Sequence, residues 1–388
     1  GALAMTPWAV EGAGAALLGE RAALFGYGRG GRVSPSRSCR LLPATDGWLA
    51  VNLARPDDLR FLPAWLGEGD TGDPWRFVAE RVACRSLGEL VETASLLGLA
   101  VAEAGPAPDP TPPWYRLAAS GPRTERRAAD RPLVADLSSL WAGPLCAELL
   151  ALCGARVVKV ESSARPDGAR AGSRLFFDLL NGSKRSLVLD LDSERGRAAL
   201  RKLLERADIV VESSRPRALE QLGVDARELV ATRPGLSWVS ITGYGRSGKE
   251  ANRVAFGDDA AAAAGLASVT GRYRGEKGPL FCGDAIADPL TGMHAAVAAM
   301  ASWMQGGGQL LDVSMRDVVA RVLAFRSPVE EGVVERCHQA RRGNSHQDWE
   351  VVVGGQRQIV APPHARKPLR AARPLGADTA SLLRNLRC

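Results

Sequence analysis

Residues 134–161 read VADLSSLWAGPLCAELLALCGARVVKVE. A short apolar run at 133–137 has the length of a strand. Residues 143–154 read as a helix with Pro144 near its first turn, and 157–160 as a second strand. Strand, helix and strand in that order predict a βαβ unit. The pattern repeats downstream. Residues 187–191 read as a strand, 194–207 as an amphipathic helix, 209–211 as a strand, 218–222 as a helical turn and 236–242 as another strand. An apolar helix then opens near Asp284 and runs to Met304, followed by the strand QLLDVS and a helix over 315–325. Strands separated by helical patterns imply a mostly parallel sheet with right-handed crossovers.

The chain before this region has a different texture. A helical pattern (Trp8, Val10, Leu17, Leu18) leads into a loop rich in glycine and arginine, GYGRGGR over 26–32. CRLLPATDGWLAVNL then reads as strand, turn and strand with Asp46-Gly47 at the turn. Helical segments follow around 59–66 and 87–97, and the proline-rich then charged stretch 106–132 reads as an extended linker. The expected class is α/β: a Rossmann-like large domain with a mostly parallel sheet, plus a smaller α+β domain. The expected division is a small domain over 1–105, a linker over 106–132, the large domain over 133–326, and a C-terminal extension over 327–388 that returns to the large domain.

Bulk properties narrow the function. A chain of 388 residues exceeds what one core usually serves, and 46% hydrophobic with 24% charged residues is ordinary for a globular protein. The net charge of +7 fits an anionic ligand, but the basic residues are scattered and no aromatic-interleaved basic stripe suggests nucleic acid. Seven widely spaced cysteines with no CxxC pair argue against a disulfide framework or a structural zinc site, so no metal is expected and a reducing, cytoplasmic compartment fits. No stretch approaches the roughly 18 apolar residues of a membrane-spanning helix, and no charged start with an apolar core marks a signal peptide. There is no GxGxxG after the first strand, and no Walker A loop, HExxH or GxSxG.

Taken in order, the segments after residue 133 resemble the class III CoA-transferase family, which includes formyl-CoA and carnitine CoA-transferases and α-methylacyl-CoA racemase. The residues that carry the resemblance are the AGP turn and helix followed by GARVVKVE, then NGSKRSLVLDL from Asn181, and ADIVVESSRPRALEQLG from Ala207. SITGYG (240–245), GLASVTG (265–271), the helix opening DPLTGMHA (288–295) and GGGQLLDVSMRD (306–317) complete the series. The first hundred residues resemble the same family's small domain, with a glycine loop, PATDGW and a terminal GLAVAEAG element. In the family that segment follows the large domain. Here it precedes it, an order like that of a permuted chain.

The resemblance implies an enzyme that exchanges CoA between an acyl-CoA thioester and a small carboxylic acid, with CoA as co-substrate and no permanently bound cofactor. It implies that Asp288 is the nucleophile, passing through a mixed anhydride and an aspartyl-CoA thioester. From the residues alone, Asp288 followed by Pro289 is a helix N-cap, and the two roles are compatible. Asp284 reads as a surface-loop carboxylate, and His294 as a histidine packed in an apolar helix. Ala142, Gly143, Lys184, Arg185 and Arg215 occupy the CoA-binding positions, and Ser213-Ser214 stand where the family often has Asn-Phe. Gly28, Gly30 and Gly31 match the loop that covers the active site, where glycine permits closure. In the racemase branch a histidine lies eight residues before the glycine matching Gly265. Here that position is Gly257, or Phe256 with a one-residue shift, and neither carries a proton; Asp258 and Asp259 follow. Racemase or isomerase activity is the alternative, and a non-catalytic CoA-binding or assembly subunit is another. The family habit of interlocked dimers implies a homodimer, with the linker long enough to cross between subunits.

Overall fold

The computed structural model describes residues 14–69, 72–127, 130–325, 338–342, 349–353, 356–360 and 362–386. Trp8, Val10, Cys337 and Cys388 lie outside the described residues. The two apolar runs flanking Asp46-Gly47 form strands β1 (Cys39–Pro43) and β2 (Trp48–Asn52), paired antiparallel, with β3 (Ala100–Glu103) on the other side of β2. Helix α1 (Glu20–Phe25) precedes them, and α2 (Leu62–Leu66), α3 (Pro74–Val82) and α4 (Leu87–Leu97) lie between β2 and β3. The Asp73 and Ser86 side chains cap α3 and α4. Asp46 also accepts the Leu87 N–H at 2.8 Å, fastening the hairpin turn to the start of α4. Leu49, Val51, Leu62, Val78 and Leu90 close this small core.

Helix α1 departs from the expected small domain. Leu17 lies in the core of the large sheet, and Leu18 and Leu24 pack against it. The Glu20 carboxylate holds Arg366 at 2.6 and 3.0 Å. From Gly14 on, the described chain therefore lies first on the large body and enters the small one only after Gly26, whose φ of 64° ends the helix.

The large body contains β4 (Arg116–Ser120), β5 (Leu133–Asp136), α5 (Ala142–Leu152), β6 (Arg156–Ser162), α6 (Arg174–Asn181), β7 (Arg185–Leu189) and α7 (Glu194–Arg206). It continues with β8 (Ile209–Glu212), α8 (Pro216–Glu220), α9 (Ala226–Thr232), β9 (Ser237–Thr242), α10 (Gly257–Ala263), α11 (Leu266–Tyr273), α12 (Ala287–Met304), β10 (Gln309–Ser314) and α13 (Met315–Ala324). The sheet order is β4-β10-β9-β8-β5-β6-β7. Strands β5 to β10 are parallel, and the run β7-β6-β5-β8-β9-β10 is the Rossmann order. Every residue of β8 and β9 is buried, as a parallel sheet covered on both faces requires. One face packs on α5 and α12 through Leu145, Leu150, Ala296 and Val313. The other packs on α7 through Leu203, Leu204, Val210 and Trp238.

Residues 106–132 are not a free connection. Five of its residues form a strand. Arg116–Ser120 pairs antiparallel with β10, Arg116 opposite Asp312, and covers the edge of the sheet. Arg116 reaches Asp317 at 2.7 Å, and Arg126 binds Asp208 at 3.0 Å. After α13 come β11 (His338–Arg342), β12 (Trp349–Val353) and β13 (Gln356–Val360), an antiparallel sheet that the sequence pattern did not announce. Helix α14 (Thr379–Leu386) then seats Leu382 and Leu386 in the core beneath β7.

Candidate active site

The order of strands reverses between β5 and β8, which opens a crevice at their C-terminal ends. The turn after β5 is clamped from below. Leu140 has a φ of 71°, unusual for a branched residue, and its N–H is held by Asp167 at 3.0 Å. Lys159 donates to the Ser138 carbonyl at 3.0 Å and to Asp167 at 2.9 Å. Asp136 takes the Ser138 N–H at 3.0 Å and its hydroxyl as well. Ser139 N–H reaches across to the Ser213 hydroxyl at 3.2 Å, joining the ends of β5 and β8. Ser214 leans on Glu212 at 3.3 Å. This anchored turn delivers Ala142 to the start of α5.

Asp288 lies opposite. Helix α12 begins at Ala287 and its N-cap is Ile286, which makes no side-chain cap bond. Asp288 is therefore inside the first turn and is not the N-cap expected from the D-P pair. Its own N–H goes to Ala285 O at 2.9 Å. The half-buried carboxyl faces the Ala142 N–H on one side and Gly257 on the other. A Cβ at Gly257 would sit 2.2 Å from Ala285 O and 2.3 Å from Asp288 Oδ2. Any side chain there would occupy the carboxylate's own space.

Asp284 and Asp258 lie close enough to act on this carboxyl, and Asp259 follows Asp258 in α10. Asp284 is 1% exposed rather than on the surface, because Arg21 neutralises it with Nε at 2.9 Å and Nη2 at 3.1 Å. Asp258 accepts the Ala285 N–H at 2.9 Å. Asp259 accepts from Asn52 at 2.9 Å and from the Phe256 N–H at 3.0 Å. Burial lifts the Asp288 carboxyl to about 7, with Arg21 pulling down, Asp258 pushing up, and the Ala142 N–H and Asp284 adding smaller opposing effects. Burial likewise lifts Asp258 to about 6 and Asp259 to about 7. Arg21, Asn52, Asp258 and Asp259 were not legible as site residues in sequence. Only the Asp258-Asp259 pair before an alanine run gave a signal, and nothing marked Arg21.

The residues at the CoA-binding positions part ways. Ala142 faces Asp288, and Gly143 is required because a Cβ would lie 2.2 Å from Ser138 Cβ. The close approach at Gly143 is thus to its own turn. Lys184 is buried, with all three ammonium protons committed to Asp136 at 2.7 Å, Pro144 O at 2.8 Å and Asn181 at 3.0 Å. No donor is left for a phosphate. Burial lowers its pKa, against the pull of Asp136. Arg185 is tied to Ser381 at 2.7 Å and to Asp378 at 3.4 Å, docking the C-terminal helix. Arg215 is exposed at the start of α8, its pKa lowered by partial burial and then by Arg217, Arg55 and Arg165. That cluster draws charge from both bodies. Replacing Lys184 by methionine is therefore expected to cost about 3–5 kcal/mol of folding stability by stranding Asp136, read from urea unfolding. Unchanged stability with weakened CoA binding would return Lys184 to the ligand.

In the glycine loop, Gly31 has a φ of 66° and its carbonyl accepts the Phe281 N–H at 2.9 Å. A Cβ at Gly30 would meet Val33 O at 2.1 Å, whereas Gly28 has open space. The loop thus rests on the segment leading to Asp288 of its own chain. His294 packs edge-on against Trp114 at 5.3 Å, with Nδ1 at 2.7 Å from Leu290 O. Among the described residues no group of three His, Cys, Asp or Glu side chains could hold a metal ion, and no helix is long and apolar enough to cross a membrane.

A family model described as CoA-transferase family III matches residues 132–353. The chain is 32% identical over 213 residues to succinyl-CoA–D-citramalate CoA-transferase of Chloroflexus aurantiacus, covering 52% of each chain. It is 34% identical over 197 residues to formyl-CoA:oxalate CoA-transferase of Escherichia coli, covering 48% of this chain and 47% of that one. It is 31% identical over 230 residues to succinate–glutarate CoA-transferase of Agrobacterium fabrum, covering 55% and 56%. The chain spans about half the length of the curated relatives it matches. A solved CaiB/BaiF family protein from Brucella suis is 30% identical over 50% of this chain and 55% of that one, with a TM-score of 0.44.

Proposed function

From the premise that this chain belongs to CoA-transferase family III, we propose that it moves CoA from an acyl-CoA thioester to a carboxylic acid, with Asp288 as nucleophile. The observation that carries this reading is the carboxyl of Asp288, set in the first turn of α12 against the Ala142 N–H at the start of α5, the helix that follows β5. Its environment suits the chemistry. A carboxylate with a pKa lifted by burial is more nucleophilic than a solvated one, yet half of it ionises near neutral pH.

The Asp288 carboxylate attacks the thioester carbonyl, the C–S bond breaks, and CoA thiolate leaves a mixed anhydride. The thiolate then attacks the Asp288 acyl carbon, expelling the first acid as carboxylate and forming the aspartyl-CoA thioester. The acceptor carboxylate attacks that thioester and releases the thiolate from a second anhydride. The thiolate takes the new acyl group, and Asp288 returns as carboxylate. No net proton or electron is exchanged. The Ala142 N–H, already aimed at the carboxyl, is placed to stabilise charge on its oxygens through the cycle. Gly257 clears the space for the reacting oxygen. The same space leaves no room for a proton-bearing side chain at the position used by racemases.

Arg215, with Arg55, Arg165 and Arg217 beside it, supplies the positive surface for the CoA phosphates, in place of Lys184 and Arg185. Arg215→Ala is expected to weaken CoA binding about tenfold at low ionic strength, with the difference shrinking on the order of 0.5 M salt. Calorimetric titration of CoA at both salts checks it, and equal affinities would place the phosphates elsewhere. The proposed assembly is a homodimer. Because the glycine loop touches Phe281 of its own chain, each site is read as built within one subunit. The functional test is incubation with a panel of acyl-CoAs and free acids, with mass spectrometry of the exchanged thioesters.

A further inference from the structure

Two short turns flank Asp288, and one side chain touches both. Helix α1 is fixed to the large body by the Glu20–Arg366 pair at 2.6 Å, by Leu24 packed against the core, and by Leu17 buried just ahead of it. The next residue, Arg21, grips Asp284 through Nε and Nη2 at 2.9 and 3.1 Å. The same guanidinium lies 4.9 Å from the centre of the Trp141 ring.

Each contact leads to the nucleophile within a few bonds. Asp284 begins the turn through Ala285, a non-glycine residue with a φ of 43° whose carbonyl accepts the Asp288 N–H at 2.9 Å. Trp141 is the residue before Ala142, whose N–H faces the Asp288 carboxyl. A left-handed alanine persists only where its surroundings hold it. Here Asp258 holds its N–H at 2.9 Å and Arg21 holds the neighbouring Asp284.

We propose that Arg21 is a positioning residue for Asp288, clamping the Asp284–Ala285 turn to Trp141 so that the carboxyl and the Ala142 N–H stay aligned. The inference rests on Asp288 being the reacting group. It gives a physical reason for an arginine held among carboxylates in a site that must take an anionic substrate. A guanidinium that meets Asp284 through two nitrogens while lying over the Trp141 ring spans both turns at once, which a lysine ammonium does not reproduce.

The experiment compares the wild-type chain with Arg21→Met, Arg21→Lys and Asp284→Asn, measuring steady-state CoA exchange and the rate of hydroxylamine trapping at Asp288. Arg21→Met is expected to lower kcat 10- to 100-fold with the KM for acyl-CoA within twofold, and Arg21→Lys to recover only part. Asp284→Asn keeps the side-chain shape, removes the ion pair, and is expected to lower kcat in the same way. It decides the matter if Arg21→Met does not fold. Wild-type kcat in folded Asp284→Asn or Arg21→Met, or a raised KM with kcat intact, would overturn the positioning role. A wild-type chain with no exchange and no trapped Asp288 would instead sink the proposed function, and the two failures are distinguishable.

Discussion

Asp288→Ala is expected to abolish CoA exchange, with kcat falling by on the order of 1000-fold or more, because the proposed covalent intermediate forms on its carboxylate. The fold should survive. Asp288 makes no cap bond, and its carboxyl is held in a partly dry site at a cost. That cost fixes a pH signature. The folded carboxyl titrates at about 7, above its ordinary value of 3.8. Its neutral form is thus favoured by folding: its contribution to stability is full below roughly pH 4 and is lost as pH rises through about 7. Asp288→Ala should therefore be relatively more stable at pH 8 than at pH 5, judged by urea midpoints at the two values. The catalytic limb runs the other way, since in the proposed mechanism only the carboxylate attacks. In the wild-type chain kcat/KM should climb with pH and level off above about 7, read from pH–rate profiles. Exchange that persists in Asp288→Ala would remove the residue from the chemistry.

The second large effect is at Gly257. An alanine Cβ would meet Ala285 O at 2.2 Å and Asp288 Oδ2 at 2.3 Å. Neither neighbour can give way cheaply. Ala285 is pinned through its N–H by Asp258 and already carries a φ of 43°. Moving Asp288 would break its alignment with Ala142. Gly257→Ala is expected to lower kcat by about 100-fold, since misplacement by an ångström or so costs that much. Overpacking should also cost about 1–3 kcal/mol of stability. Steady-state kinetics and urea unfolding on one preparation measure both. Full activity with unchanged stability would mean that the carboxyl and Gly257 are not in contact.

The parallel sheet was legible in sequence because each βαβ crossover repeats one simple alternation of apolar strand and amphipathic helix. Arg116–Ser120 was not. It follows a proline-rich stretch, and what makes it a strand is the open edge of β10, a partner supplied by tertiary structure alone. Helix α1 was misplaced for a related reason. Its apolar residues say that it is buried but not in which core, and Leu24 packs against the large sheet's core, as Leu17 does just ahead of the helix.

The candidate site divided along the same line. Asp288 meets the Ala142 N–H, and Arg215 stands exposed at the start of α8, positions from which the proposed roles can be tested. Lys184 and Arg185 sit in an equally strong motif, yet one is a buried counter-ion to Asp136 and the other anchors α14. A motif reports that a lysine is needed, not whether a ligand or a neighbouring carboxylate needs it. Arg21 and Asn52 reach the site from the small body's side of the sequence. Contacts across more than two hundred residues leave no periodicity to read.

Covalent capture at Asp288 bears most directly on the central claim. The purified chain is incubated with acyl-CoA and quenched with hydroxylamine, then digested for mass spectrometry. The expected result is a hydroxamate on the peptide containing Asp288, present with acyl-CoA and absent without it. An unmodified Asp288 peptide from a preparation that is visibly exchanging CoA would contradict the account.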